Sequence, residues 1–117
     1  MLKKMNNRAW GNTETLHKYN EYIEIKDISI LPRTSTTFHW HENFNELVFV
    51  REGTLTIYTS SNPDKRNLIK TTVERFNSHT NQAGTWHSLC NETYYPLKLT
   101  VILHGSDLSG KFIKRLD

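Results

Sequence analysis

With 117 residues and a formal net charge of +3, the chain has room for one domain with a modest core. Its one cysteine, Cys90, excludes an internal disulfide and reads as a small buried residue of a cytoplasmic protein, with no apolar run suited to a membrane span or a leader. The basic residues are scattered over Lys3-Lys4, Lys65-Arg66 and Lys111 to Arg115, which excludes the concentrated face that nucleic acid needs and suits a small anionic ligand.

In chain order, Met1 to Asn7 is polar and reads as a frayed tail. Arg8-Ala9-Trp10-Gly11 forms an aromatic anchor, so residues 1–20 are expected to be peripheral to a single domain over 21–117. Ile23 and Ile25 share one parity and Ile28 and Ile30 the other, which predicts a bulge or bend at Asp27 between two short strands. Pro32 ends that run. After the stretch Phe38 to Val50, Gly53 is expected to turn a hairpin into Leu55 to Tyr58. Ser60 to Asn67 is dense in turn formers, and Leu68, Ile69 and Val73 resume weak strand character. Ser78 to Asn81 reads as a short strand, and Leu97, Leu99, Val101 and Leu103 alternate with polar or outward positions as a two-faced strand. The segment from Asp107 to Arg115 either adds an edge strand or wraps the body. No stretch carries sustained helical periodicity, so the class is all-β, a sandwich or closed barrel.

Phe38 to Gly53 carries the chemistry. His39 and His41 are two apart, so a strand projects both imidazoles from one face and turns Trp40 away. Glu46 follows five residues later, leaving space for a short bend, and His87 supplies a further imidazole. Three imidazoles and a carboxylate form a plausible shell for one divalent transition metal. Zinc, manganese, iron and nickel all accept such donors, so ligand type does not choose among them.

His39 to Gly53 reads H-x-H-x4-E-x6-G, and Gly84 to Asn91 contains G-x2-H-x3-N. Together these resemble the two motifs of the cupin superfamily, although Gln82 stands where the second motif has proline. The resemblance implies a double-stranded β-helix, a jelly-roll barrel, with His39, His41, Glu46 and His87 as metal ligands at its mouth.

Further matches lie towards the two ends. Arg8-Ala9-Trp10-Gly11 is similar to the R-P-W-G that opens the isomerase cupin of type II mannose-6-phosphate isomerases. Gly84 to Asn91 resembles the P-G-x-W-H-x-L-x-N of that family, and Gly105 to Asp117 its G-x-x-L-G-E-D-D-I-V-R-L-x-D ending. The family has two residues between its second His and Glu, followed by His-Trp; here Glu42, Asn43, Phe44 and Asn45 intervene. The resemblance therefore implies an isomerase or epimerase of a phosphorylated or nucleotide-linked sugar, with mannose 6-phosphate itself less suited. Two other readings share the ligand set: a non-catalytic metal- and sugar-binding module, and a non-haem iron dioxygenase.

Isomerisation needs a base between adjacent carbons. Glu46 serves if loosely bound, and His79 serves if it faces the interior; on a solvent-facing strand His79 and Asn81 would have no role. By the resemblance, Arg115 is a phosphate or substrate contact, against its reading as an ordinary terminal charge. His17 and His104 have no partner in the pattern, and Trp10, Trp40 and Trp86 read as barrel packing. The resemblance, with the need to cover edge strands, also implies a homodimer.

Overall fold

A computed structural model describes residues 4–20, 22–62, 67–105 and 113–116. These residues form twelve strands and no helix: β1 (Lys4–Arg8), β2 (Gly11–Tyr19), β3 (Ile23–Ile30), β4 (Thr34–Ser35), β5 (Phe38–His41), β6 (Phe44–Glu52), β7 (Leu55–Ser60), β8 (Ile69–Val73), β9 (Ser78–Asn81), β10 (Trp86–Asn91), β11 (Leu97–Gly105) and β12 (Ile113–Leu116). The first sheet runs β1-β2-β3-β11-β6-β9, and the second runs β12-β5-β10-β7-β8 with the short β4 on β10. All pairings are antiparallel.

The alternation in the sequence decides which face is inside. On β11, Leu97, Leu99, Val101 and Leu103 are buried, and on β6 Phe44, Val48 and Val50 share the same side. Leu55, Ile57 and Leu89 from the second sheet close on them in one core. Each such side chain contributes about 1.5–3 kcal/mol by leaving water.

Three local expectations change. The segment expected to fray is a strand from residue 4: β1 pairs β2 from Lys4 opposite Thr15 to Arg8 opposite Gly11, and β2 continues the first sheet onto β3. Polarity misled because the hairpin's inner side faces a pocket lined by polar side chains. Nor does β3 bend at Asp27; it runs unbroken, with Ile28 and Ile30 inward and Ile23 and Ile25 on the outer face. The irregularity sits in its partner, where Thr15 opposes Lys26 and His17 opposes Ile25, so β2 accommodates one extra residue at Leu16. Finally, Gly53 does not turn a paired hairpin. It passes the chain from β6 in the first sheet to β7 in the second. Its φ is +88°, and a Cβ there would stand 2.5 Å from the carbonyl oxygen of Pro96, so both conformation and space require glycine.

The last segment does add an edge strand, β12 beside β5. Residues 63–66 of the turn-rich loop and 106–112 of the tail fall outside the described residues.

Candidate metal centre

β5 and β10 are neighbours, with His39 directly opposite His87, and His41 extends the inner face of β5 by one same-side step. The fourth residue comes from the other sheet. A bend at Glu42-Asn43 carries the chain from β5 into β6, where Glu46 occupies an inner position between Phe44 and Val48. The turn ahead of His87 is held to both strands: the Gly84 N–H donates to the His41 carbonyl at 2.9 Å, and the Ala83 N–H donates to Asn45 Oδ1 at 2.8 Å.

One ligand atom from each of His39, His41, Glu46 and His87 lies within 4.8 Å of the others. Glu46 Oε2 is 3.6 Å from His41 Nε2 and 3.5 Å from His87 Nε2. Donors about 2.1 Å from a shared tetrahedral ion stand roughly 3.4 Å apart, so the spacing fits. His41, Glu46 and His87 are buried, while His39 is only partly so.

The tautomers follow from the backbone. Nδ1 of His39 lies 2.9 Å from the Thr37 carbonyl, that of His41 2.9 Å from the Phe44 carbonyl, and that of His87 3.2 Å from the Thr85 carbonyl. A carbonyl only accepts, so each neutral ring carries its proton on Nδ1 and turns the Nε2 lone pair inward. Nε2 of His41 and of His87 are both buried without a hydrogen-bond partner. Lone pairs converging on a carboxylate in a buried site repel one another unless a proton or a metal ion lies among them. The four residues therefore make a ligand set able to hold a divalent metal.

The electrostatics agree. Burial, with His87 beside it, lowers His39 to about 4. Burial acts to lower His87 too, but the Glu46 carboxylate outweighs it and the ring is raised. Glu46 is opposed by burial yet held well below the usual carboxylate range by His87, His41 and His39. Asn81, on β9 opposite Glu46, is buried and donates from Nδ2 to Glu46 Oε1 at 3.5 Å.

His79 lies on β9 opposite Val48 and is half-buried; burial lowers its pKa, against a raising influence from Asn81. On β12, Arg115 is opposite His39 in the pairing with β5; its side chain is outside the described residues. His17 and His104 are exposed, and Trp86 is buried. Cys90 is buried and its thiol is raised by that burial, which suits a packing residue.

His39 and Glu46 open onto a pocket of about 330 Å³. Its other walls include Asn6, Thr13, Thr15, Glu24 and Lys26 from β1, β2 and β3, and Thr36, Thr37 and Leu89 from beside and within the second sheet. Sequence reasoning missed this wall. The available signal was Glu24 and Lys26, polar residues in step with the core positions Ile28 and Ile30. A larger hollow of about 430 Å³ lies among Phe38, Tyr58, Ser88 and Cys90, and holds none of the four candidate ligands.

No protein-family model and no curated protein sequence matches the chain. Solved structures do. The capsular polysaccharide assembling protein CapF from Staphylococcus aureus aligns with 99% of this chain at 17% identity and a TM-score of 0.84. A crystal structure of CapF with the inhibitor 3-isopropenyl-tropolone gives the same identity and TM-score. The match takes in 34% of the former chain and 35% of the latter, so this chain spans about a third of their length. The cupin domain of Schizosaccharomyces pombe Cnp3 matches 92% of this chain and 72% of its own at 9% identity, TM-score 0.73. A Klebsiella pneumoniae protein with a double-stranded β-helix domain matches 88% and 81% at 13% identity, TM-score 0.72. The fold is therefore the cupin double-stranded β-helix.

Proposed function

We propose that the chain is a metal-dependent cupin that isomerises or epimerises a phosphorylated or nucleotide-linked sugar. The observation that carries this is the convergence of two buried, unpartnered imidazole Nε2 atoms and a carboxylate beside a polar pocket. Likeness to CapF, a capsular polysaccharide assembling protein, supports a sugar ligand. The inhibitor of CapF is also suggestive: a tropolone carries adjacent hydroxyl and carbonyl oxygens, the donor pair that a ketose or its enediol would turn towards a metal.

A divalent ion held by His39, His41, Glu46 and His87, whether zinc, manganese, iron or nickel, would supply Lewis acidity towards the substrate oxygens. The chain's residues do the remainder. His39 and Glu46 line the pocket and meet the substrate. Two groups are candidates for the proton transfer between adjacent carbons: Glu46, if it is loosely bound, its Oε1 held by Asn81, and the half-buried His79, whose pKa burial lowers. Arg115, on the strand beside β5, is the proposed contact for an anionic group.

The test is a thermal-shift screen of metal-loaded protein against sugar phosphates and nucleotide sugars, followed by proton exchange into deuterated water by NMR. Exchange next to the sugar carbonyl is the expected result. A shift without exchange leaves a non-catalytic binding module. Oxygen consumption by the iron-loaded protein would support the dioxygenase reading, which uses the same donors.

A further inference from the structure

A proton leaving a carbon beside a carbonyl needs a base within reach, and a metal ligand serves only when it lets go of the ion. Glu46 Oε2 lies 3.6 Å from His41 Nε2 and 3.5 Å from His87 Nε2. Burial opposes its charge, yet His87, His41 and His39 hold it well below the usual carboxylate range. His79 is not among the residues that line the pocket beside His39 and Glu46. Glu24 is, and among the described residues it is the pocket's one carboxylate outside the candidate ligand set. We propose that Glu24 is a base for the proton transfer, working from the β3 wall of the pocket. The inference rests on the isomerase or epimerase reading above and adds a residue that takes the proton.

Register sets the geometry. Glu24, Leu103 and Glu46 lie in one row across β3, β11 and β6. Leu103 and Glu46 are buried on the inner side, and residues opposite one another in a sheet share a face, so Glu24 points inward with them. Two strand spacings, about 10 Å, separate the Cα atoms of the two glutamates, with the apolar Leu103 as the floor between. Thr15 Oγ1 donates to Glu24 Oε2 at 3.0 Å. That bond orients the carboxylate and leaves Oε1 without a partner among the described residues. The row therefore holds two carboxylates in different states: one engaged by histidines, the other held on one oxygen and open on its second.

Less the reach of the side chains, that gap suits a sugar carbonyl at the His39 and Glu46 end with the adjacent C–H in front of Glu24. The proton of that C–H passes to Glu24 Oε1. Its electron pair forms the carbon–carbon double bond, and the carbonyl π pair moves onto oxygen to give an enediolate. In an isomerisation the hydroxyl proton then crosses between the two oxygens, and Glu24 returns its proton to the other carbon. In an epimerisation water delivers a proton to the opposite face of the first carbon, and Glu24 releases its own to solvent.

The experiment follows proton exchange into deuterated water by NMR with mannose 6-phosphate, fructose 6-phosphate and a nucleotide-linked ketosugar. Wild type, Glu24→Gln and Glu24→Asp are compared after zinc or manganese loading, with metal content and circular dichroism recorded for each. Glutamine still accepts from Thr15 but takes no proton, so exchange should fall about 100-fold or more while KM and metal content stay unchanged. Glu24→Asp keeps the acid on a shorter stem and should lose about tenfold. Calorimetry with tropolone, whose adjacent hydroxyl and carbonyl oxygens resemble an enediol, separates a base from a scaffold. Glu24→Gln imitates the protonated acid that faces the enediolate, so it should bind tropolone as tightly as wild type or more tightly; weakened binding would mark Glu24 as structural and overturn the inference. A wild-type exchange rate in Glu24→Gln, or in Glu24→Asp where the glutamine variant does not fold, overturns it and leaves the isomerase or epimerase reading standing. No exchange by wild type with any of the three probes removes that reading, and this inference with it.

Discussion

Glu46 Oε2 lies 3.5 Å from His87 Nε2, although Glu46 stands on β6 of the first sheet and His87 on β10 of the second. His39 and His41 also belong to the second sheet, so the carboxylate is the one donor of the set that crosses the core. A metal held there ties the sheets together. Because such a metal binds the folded chain, it should raise the melting temperature, by about 2.7 kcal/mol of stability at a hundred times Kd. Chelation should reverse the shift, and His41→Ala should lose most bound metal while keeping a strand-dominated circular dichroism spectrum. Unchanged metal content in that variant would refute the site.

Asn81 would act on a bound metal through Glu46. Its Nδ2 reaches Glu46 Oε1 at 3.5 Å inside the barrel. Asn81→Leu should weaken metal binding by about 10–100-fold without abolishing it. Competition against a chromogenic chelator measures this, and Asn81→Gln should recover part of the loss.

Acid should release the metal in a defined order. Protons compete for the same Nε2 lone pairs as the ion. His87 is raised, so it takes a proton at a pH where an ordinary imidazole is still neutral; His39, lowered to about 4, takes one far later. Affinity should therefore begin to fall above pH ~6.5 as the pH is lowered, by about tenfold per pH unit for each proton displaced. A pH-independent affinity between pH 5 and 8 would contradict it.

Gly53 tests the passage between the sheets. Alanine there must adopt a φ of +88° and meet the Pro96 carbonyl at 2.5 Å. We expect Gly53→Ala to cost about 1–3 kcal/mol in urea unfolding, with metal content per folded chain unchanged.

β8 ends the second sheet and carries Ile69, 63% exposed, beside Leu68. An apolar edge of this kind invites pairing. We expect a homodimer by light scattering at micromolar concentration and a shift towards monomer in Ile69→Lys. A monomeric wild type would refute the dimer.

The local half of this protein was legible in its residues. A strand has period two, so His39 and His41 had to share a face, and Leu97 to Leu103 had to bury alternate side chains, wherever those strands lay. The spacing to Glu46 and the turn before His87 matched the cupin pattern, and those four residues are the ones that meet.

What lay beyond reach was decided by partners far away in the chain. The isoleucine parity read as a bulge or bend at Asp27; only the unbroken pairing of β3 with β11, from Leu97 opposite Ile30 to His104 opposite Ile23, sets Glu24 and Lys26 on the pocket side. Polar residues 4–8 became a strand because β2 offered an edge, and Gly53 joined two sheets where a local reading saw one hairpin. Parity and turn chemistry are properties of neighbours along the chain. Which sheet a strand joins, and whether its polar face meets solvent or a pocket, depends on contacts such as Thr100 with Asp27, 73 residues apart, which short-range periodicity does not encode.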